Sequence, residues 1–337
     1  MASSFNPWAM SKGAAYFPNF STERVAVTDP DNARSLTGYF EALFNCQNGN
    51  GAHPDHATLF ERLRKDKGLP ASQVHLIVGK NHLAETCQYS NAAGYGAAHG
   101  ATVYLDTSVS YPCTCNVDCQ PDSIEEGYGG NDDVLTDYAI QIMTTEYPAF
   151  LDLNLPENDH TRHKLMSFFC NDTLAYWTEA ERVVDNAFQN VRELYEACAA
   201  DTMLAGKTLL IVFADHGFHR AGQNPPGCLT CTAGYRKHGH LCNGVLCSGC
   251  EDIWMYIIPV GDNPDVIGGT YYDSFTFEHL AVTAGMIYNM EDFGEVEPIR
   301  HIFGITDVPL PPTEIQTVPS SWGSIKGLFS DTCCEDD

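Results

Sequence analysis

Continuously apolar runs alternate with amphipathic stretches along this chain. Residues 208–214 (TLLIVFA) and 253–260 (IWMYIIPV) are almost wholly apolar, and Val74–Val78 (VHLIV) is a shorter run of the same kind. Such runs read as strands covered on both faces, the pattern of a parallel central sheet. Residues 149–155 (AFLDLNL) predict a further strand. Between them, the spacing predicts helices over 58–67 (ending at Gly68), 133–146, 171–200 (capped by Asn171 or Asp172) and 277–290. Residues 25–38 predict a strand, a tight turn and then a helix with Pro30 near its start, where a missing N–H costs little.

Strands alternating with helices predict an α/β fold with a mostly parallel central sheet flanked by helices. Neither an internal repeat nor a linker divides the chain. One domain is expected over 1–310, with Cys-rich insertions at 84–131 and 221–250 and a Pro- and Ser-rich surface tail at 311–337.

Composition narrows the partners. The formal net charge is −26, a field that argues against nucleic acid and anionic membrane surfaces. No apolar run approaches the ~18 residues of a membrane span. Ten of the 14 cysteines cluster, at Cys113, Cys115 and Cys119, at Cys228, Cys231, Cys242, Cys247 and Cys250, and at Cys333 and Cys334. Clusters in polar loops predict disulfides and an oxidising compartment, hence a secreted, extracellular or periplasmic protein. Two C-x-x-C pairs, Cys228/Cys231 and Cys247/Cys250, leave a Cys-ligated zinc as the rival reading. Asn19-Phe-Ser and Asn171-Asp-Thr are glycosylation sequons. Residues 1–20 contain no basic start followed by an apolar core, so no signal sequence is visible.

Chemistry-bearing residues follow the predicted strands. Thr28 follows ERVAV, Asp159 and His163 follow the strand at 149–155, and Asp215 and His216 follow TLLIVFA. In open parallel sheets ligands bind outside the carboxyl ends of strands, so these groups are expected on one sheet edge. Asp159 and His163, at i and i+4, face the same way on a helical turn and suit one metal ion. A solvated, capped helix start explains the same pair without a metal. Asp215-His216-Gly217 ends an apolar strand with a costly polar pair. Metal binding or catalysis would justify it, and so would a strand end emerging into solvent.

Taken together, these segments resemble the alkaline phosphatase superfamily of phosphatases, sulfatases and nucleotide pyrophosphatase/phosphodiesterases. TLLIVFADHGFH, the turn Thr28-Asp-Pro-Asp-Asn-Ala-Arg-Ser-Leu-Thr-Gly38, Asp159-x-x-x-His163, and His238-Gly239 with the later strand IWMYIIPVG occur in the superfamily's order, over about 14–290. The resemblance implies Thr28 as nucleophile, with Asp215 and His216 on the metal that activates it. It implies Asp159, His163 and His238 on a second metal, with His240 as the alternative to His238. It matches Asn48 or Asn50 to a phosphoryl-holding asparagine. The implied activity is hydrolysis of phosphate mono- or diesters, on a small-molecule or glycan-linked substrate, with two divalent ions such as zinc. Sulfatases carry a cysteine or serine, converted to formylglycine, where Thr28 stands, which disfavours a sulfatase. The superfamily also places a metal-binding aspartate at the end of a strand upstream of the nucleophile, and residues 1–20 hold no acidic residue. The Thr28-side metal site is therefore expected to be weak or empty. The alternative expectation is a catalytically degenerate member serving as a secreted structural or glycan-binding surface protein.

Overall fold

In a computed structural model of the chain, the described residues are 2–22, 28–40, 52–106, 130–163, 173–217, 241–242, 245–246, 252–262, 266–290 and 293–303. The order is α1 (Ala2–Ser11), β1 (Ala15–Ser21), α2 (Thr28–Thr37), α3 (Leu59–Lys65), β2 (Val74–Val78), α4 (Asn81–Cys87), β3 (Thr102–Leu105), α5 (Asp132–Glu146), β4 (Phe150–Leu153), α6 (Glu157–His163), α7 (Thr173–Ala200), β5 (Leu209–Phe213), a short hairpin of β6 (Leu241–Cys242) and β7 (Val245–Leu246), then β8 (Asp252–Pro259), β9 (Gly269–Thr270), β10 (Phe275–Thr276) and α8 (Phe277–Ile287).

Two sheets carry the site. In one, β2 lies between β3 and β4 and runs parallel to both. In the other the order is β10-β1-β8-β5, with β9 also pairing β1. There β8 is antiparallel to both β1 and β5. The parallel reading of residues 208–214 and 253–260 is therefore corrected for these two strands. A continuous apolar run reports cover on both faces, and it carries no information on the direction of the neighbour. β8 shows this directly. Ile253, Met255 and Ile257 join a core with Phe17, Phe20 and Phe277, while Tyr256 and Ile258 join one with Phe5, Leu135 and Leu194. Its period-two alternation divides the strand between helical layers on opposite faces. β5 ends this sheet's path, with every residue half-buried.

The helices begin and end as their sequences dictate. Thr58 and Glu61 form a reciprocal capping box that starts α3, and Gly68, at φ +69°, turns the chain away after it. The expected loop-rich insertion at 84–131 is corrected in part: α4 continues to Cys87, and TVYL forms β3 in register with β2. Four residues between Gly- and Ala-rich flanks give too short an alternation to read as a strand. Residues 107–129, with Cys113, Cys115 and Cys119, lie outside the described residues, as do the strand expected at 25–27, the caps Asn171 and Asp172, the tail, and most of the second Cys-rich segment. The disulfide and Cys-zinc expectations fall on those segments. Cys87 and Cys198 are buried free thiols, and burial pushes the latter up to about 11. In β1 the Asn19 amide donates to the Tyr272 carbonyl at 2.9 Å, so a glycan there would displace that bond. Among the described residues, no helix is long and apolar enough to cross a membrane.

Candidate functional site

The site forms where α2 begins. Most residues of α2 are polar, yet every residue of the helix is buried, so the polar ones demand internal partners. Asp29 and Asp31 in the first turn suit the positive end of the helix, and the Asn32 amide donates to the Thr28 carbonyl at 2.8 Å. Arg34 is buried and donates through Nε and Nη2 to the two oxygens of Glu278 at 2.7 and 3.0 Å. It also reaches Asp31 at 3.1 Å and the Thr22 carbonyl. These bonds fasten α2 to α8 and hold Thr28 at a defined place.

Three chain segments then meet at the Thr28 hydroxyl. His216, just beyond β5, places Nε2 3.2 Å from Thr28 Oγ1. The other ring nitrogen lies 3.2 Å from the Gly217 carbonyl. A carbonyl only accepts, so Nδ1 carries a proton, and in that tautomer of the neutral imidazole Nε2 accepts from Thr28. Lys80, just beyond β2, donates to Thr28 Oγ1 at 3.3 Å and to Asp159 Oδ2 at 2.6 Å. Its side chain is 2% exposed. Asp159 stands on α6, after β4. The Asp215 carboxylate accepts from the His216 backbone N–H at 3.0 Å, and its other oxygen is 3.6 Å from His216 Nε2. Thr28, Asp159, Asp215 and His216 thus lie in one chain of contacts closed by Lys80. His163 is the last residue of α6, with its side chain outside the described residues. Asn48, Asn50, His238 and His240 are outside them altogether.

Lys80 escaped the sequence reading. The signal was present: a cation directly after a fully buried strand, the same argument that singled out Asp215. A second pair beside it joins the same helices, with His82 Nδ1 2.5 Å from Asp29 Oδ1, so α2 and α4 are tied at two successive points.

A backbone junction supports Lys80 from below. Gly130 donates its N–H to the Gly79 carbonyl at 2.9 Å. A Cβ on Gly79 would come within 2.5 Å of Pro156 and 2.6 Å of the Gly130 Cα, so both positions require glycine. Immediately beyond, α5 and α6 cap each other. The Asp132 N–H donates to Glu157, and the Glu157 N–H donates to Asp132, each at 3.1 Å. Burial, followed by the charge of Glu157, pushes the Asp132 carboxyl up to about 8.

The metal expectation meets these residues unevenly. Thr28 Oγ1, His216 Nε2 and Asp215 present oxygen and nitrogen donors around one point, a set that fits a zinc-type ion. On the other side the Lys80 ammonium already sits on Asp159. Among the described residues no three of His, Cys, Asp or Glu gather as a metal-holding group, so further ligands would come from outside them.

No family model and no curated protein matches the sequence. Solved structures do match the fold. A 2-O GAG sulfatase aligns with a TM-score of 0.54 at 11% identity, covering 88% of this chain and 68% of its own. A protein solved with its substrate D-glucosamine-2-N,6-O-disulfate aligns at 0.51 and 13%, covering 88% and 74%. The lipoteichoic acid synthase LtaP of Listeria monocytogenes aligns at 0.50 and 12%, covering 87% and 68%. At these identities the likeness speaks for the fold, and the chain has the alkaline phosphatase-like α/β fold that the sulfatases and the lipoteichoic acid synthase share.

Proposed function

We propose that this chain hydrolyses phosphate esters, small or glycan-linked, with the Thr28 oxygen as the attacking group. The observation that carries the reading is the placement of one buried hydroxyl between a histidine nitrogen and a lysine ammonium, at 3.2 and 3.3 Å. A hydroxyl is a poor nucleophile unless a base or a positive charge activates it. His216 Nε2 accepts the Thr28 hydrogen bond and so orients a lone pair outward. The Lys80 ammonium favours the alkoxide over the hydroxyl and offsets negative charge that develops as the ester oxygen leaves. Asp159 fixes that ammonium in place. Burial of Thr28 keeps bulk water from competing for its oxygen. Asp215 and His216, with the Thr28 oxygen, are the described groups that would hold a divalent ion; its binding would take over the Nε2 lone pair from the Thr28 hydrogen bond and would supply Lewis acidity toward the Thr28 and phosphoryl oxygens. His163 and His238, or His240 in its place, remain the proposed ligands of a second ion beside Asp159, and Asn48 or Asn50 the proposed phosphoryl contact.

Sulfate esters form a second reading, favoured by the sulfatases among the structures of like fold. Both esters present tetrahedral oxyanions to the same ammonium. Purified protein offered aryl phosphate monoesters, aryl phosphodiesters and aryl sulfates, with and without added zinc, magnesium or calcium, separates the readings. Turnover of a phosphate ester that disappears in Thr28→Ala supports the first. Turnover of the sulfate alone replaces it with the second. No turnover of any substrate above background, in the parent as in Thr28→Ala, would leave the degenerate, non-catalytic alternative.

A further inference from the structure

We propose that Asp132 and Glu157 are positioning residues, forming a reciprocal clamp that sets Asp159 against Lys80. The proposal rests on the reading of Lys80 and Thr28 given above, and it adds a device outside the reacting groups.

Geometry carries it. Asp132 is the first residue of α5 and Glu157 the first of α6. Helix starts leave backbone N–H groups without partners inside the helix. Here each helix uses its own first carboxyl to accept the first N–H of the other, both at 3.1 Å. Asp132 is wholly buried and Glu157 6% exposed. The clamp is seated on the Gly79–Gly130 contact, with Pro156 closing the third side. Lys80 is the residue after Gly79, and Asp159 is two residues after Glu157. The two partners of the 2.6 Å ion pair therefore project from the very segments that the clamp and the glycines hold together. Asn131 continues the same junction, its side chain accepting from Asp133 and Val134 and its N–H donating to Asp106.

Because Asp132 favours its neutral form in this setting, asparagine resembles its resting state and keeps the acceptor oxygen. Alanine removes that oxygen. The test compares the full chain with Asp132→Ala, Glu157→Ala and Asp132→Asn by two readouts that need no substrate. Amide hydrogen exchange reports residues 157–160, and mass spectrometry after brief acetic anhydride treatment reports acylation of Lys80. Both alanine variants are expected to speed exchange in this segment and Lys80 acylation by about ten-fold or more, and Asp132→Asn is expected to match the parent. If both alanine variants stay within about two-fold of the parent, the clamp is overturned. If they unfold, the Asp132→Asn/Glu157→Gln double variant, which retains both acceptors, must keep Lys80 slow to acylate; rapid acylation there also overturns the proposal. Loss of ester turnover in the parent would defeat the functional reading, and these measurements would still decide the clamp.

Discussion

Lys80 Nζ lies 2.6 Å from Asp159 Oδ2 and 3.3 Å from Thr28 Oγ1. A buried ammonium needs an anion, and Asp159 supplies it. The same ammonium still has a hydrogen to spend on the hydroxyl, so one side chain joins the end of β2, the start of α2 and the start of α6.

Lys80→Met keeps the length of the side chain and removes the charge. Turnover of whichever ester the parent hydrolyses is expected to fall by about 10²–10³, the usual loss when one charge-stabilising donor is removed. The fall should appear in kcat at saturating substrate. A variant within a few-fold of the parent would remove Lys80 from the chemistry.

Gly79→Ala and Gly130→Ala test the junction beneath it. The added carbon would sit 2.5 Å from Pro156 Cγ in the first case and 2.4 Å from the Gly79 Cα in the second. Backbone cannot yield as a flexible side chain does. Each change is expected to cost about 3 kcal/mol, the upper end of overpacking losses, read as a lower urea midpoint at constant slope.

Asp132 gives a pH-dependent stability with a defined sign. Its folded pKa, about 8, stands above the ~3.9 of an unfolded aspartate. The folded state therefore binds its proton more tightly, and the associated stability is fully present below about pH 4 and lost as pH rises toward 8. Asp132→Asn removes this dependence. The stability difference, variant minus parent, should grow by a few kcal/mol between pH 4 and pH 8. A flat difference in paired urea titrations would contradict the assignment.

Arg34 and Glu278 make the ion pair that fastens α2. Burial raises the Glu278 carboxyl, but the hydrogen bond and charge of Arg34 outweigh it and the net shift is downward. Stability from this pair is thus present above the ordinary carboxylate range and lost as pH falls through the lowered value. Arg34→Met takes the cation from two buried acids, Asp31 and Glu278, and is expected to cost about 3–5 kcal/mol near neutral pH. The cost should shrink in acid, as thermal melts at several pH values would show.

The strands were legible because their apolar runs are long or sharply bounded. VHLIV became β2 over Val74–Val78, and TLLIVFA contains β5 over Leu209–Phe213. What those runs withheld was direction: β8 is as apolar as a parallel strand and runs antiparallel to both neighbours, because burial on two faces is all that its pattern encodes. Thr28, Asp159, Asp215 and His216 stood out as polar residues after apolar strands. Lys80 obeys the same rule and was passed over, because a lone lysine after a glycine carries no metal-ligand spacing. The Asp132–Glu157 clamp was illegible for a different reason. Twenty-five positions of sequence separate its halves, and only the folded junction of Gly79, Gly130 and Pro156 brings them together.

In the proposed reaction the Thr28 oxygen forms the bond to the transferred phosphoryl group as the ester oxygen leaves. Acid quenching of the protein during turnover of an aryl phosphate, followed by peptide mass spectrometry, would trap that bond. A phosphoryl ester is expected on the peptide containing Thr28, on that side chain, and is expected to be absent from Thr28→Ala. Turnover that proceeds at the same rate in Thr28→Ala, with no modified Thr28 in the quenched parent, would contradict attack by Thr28.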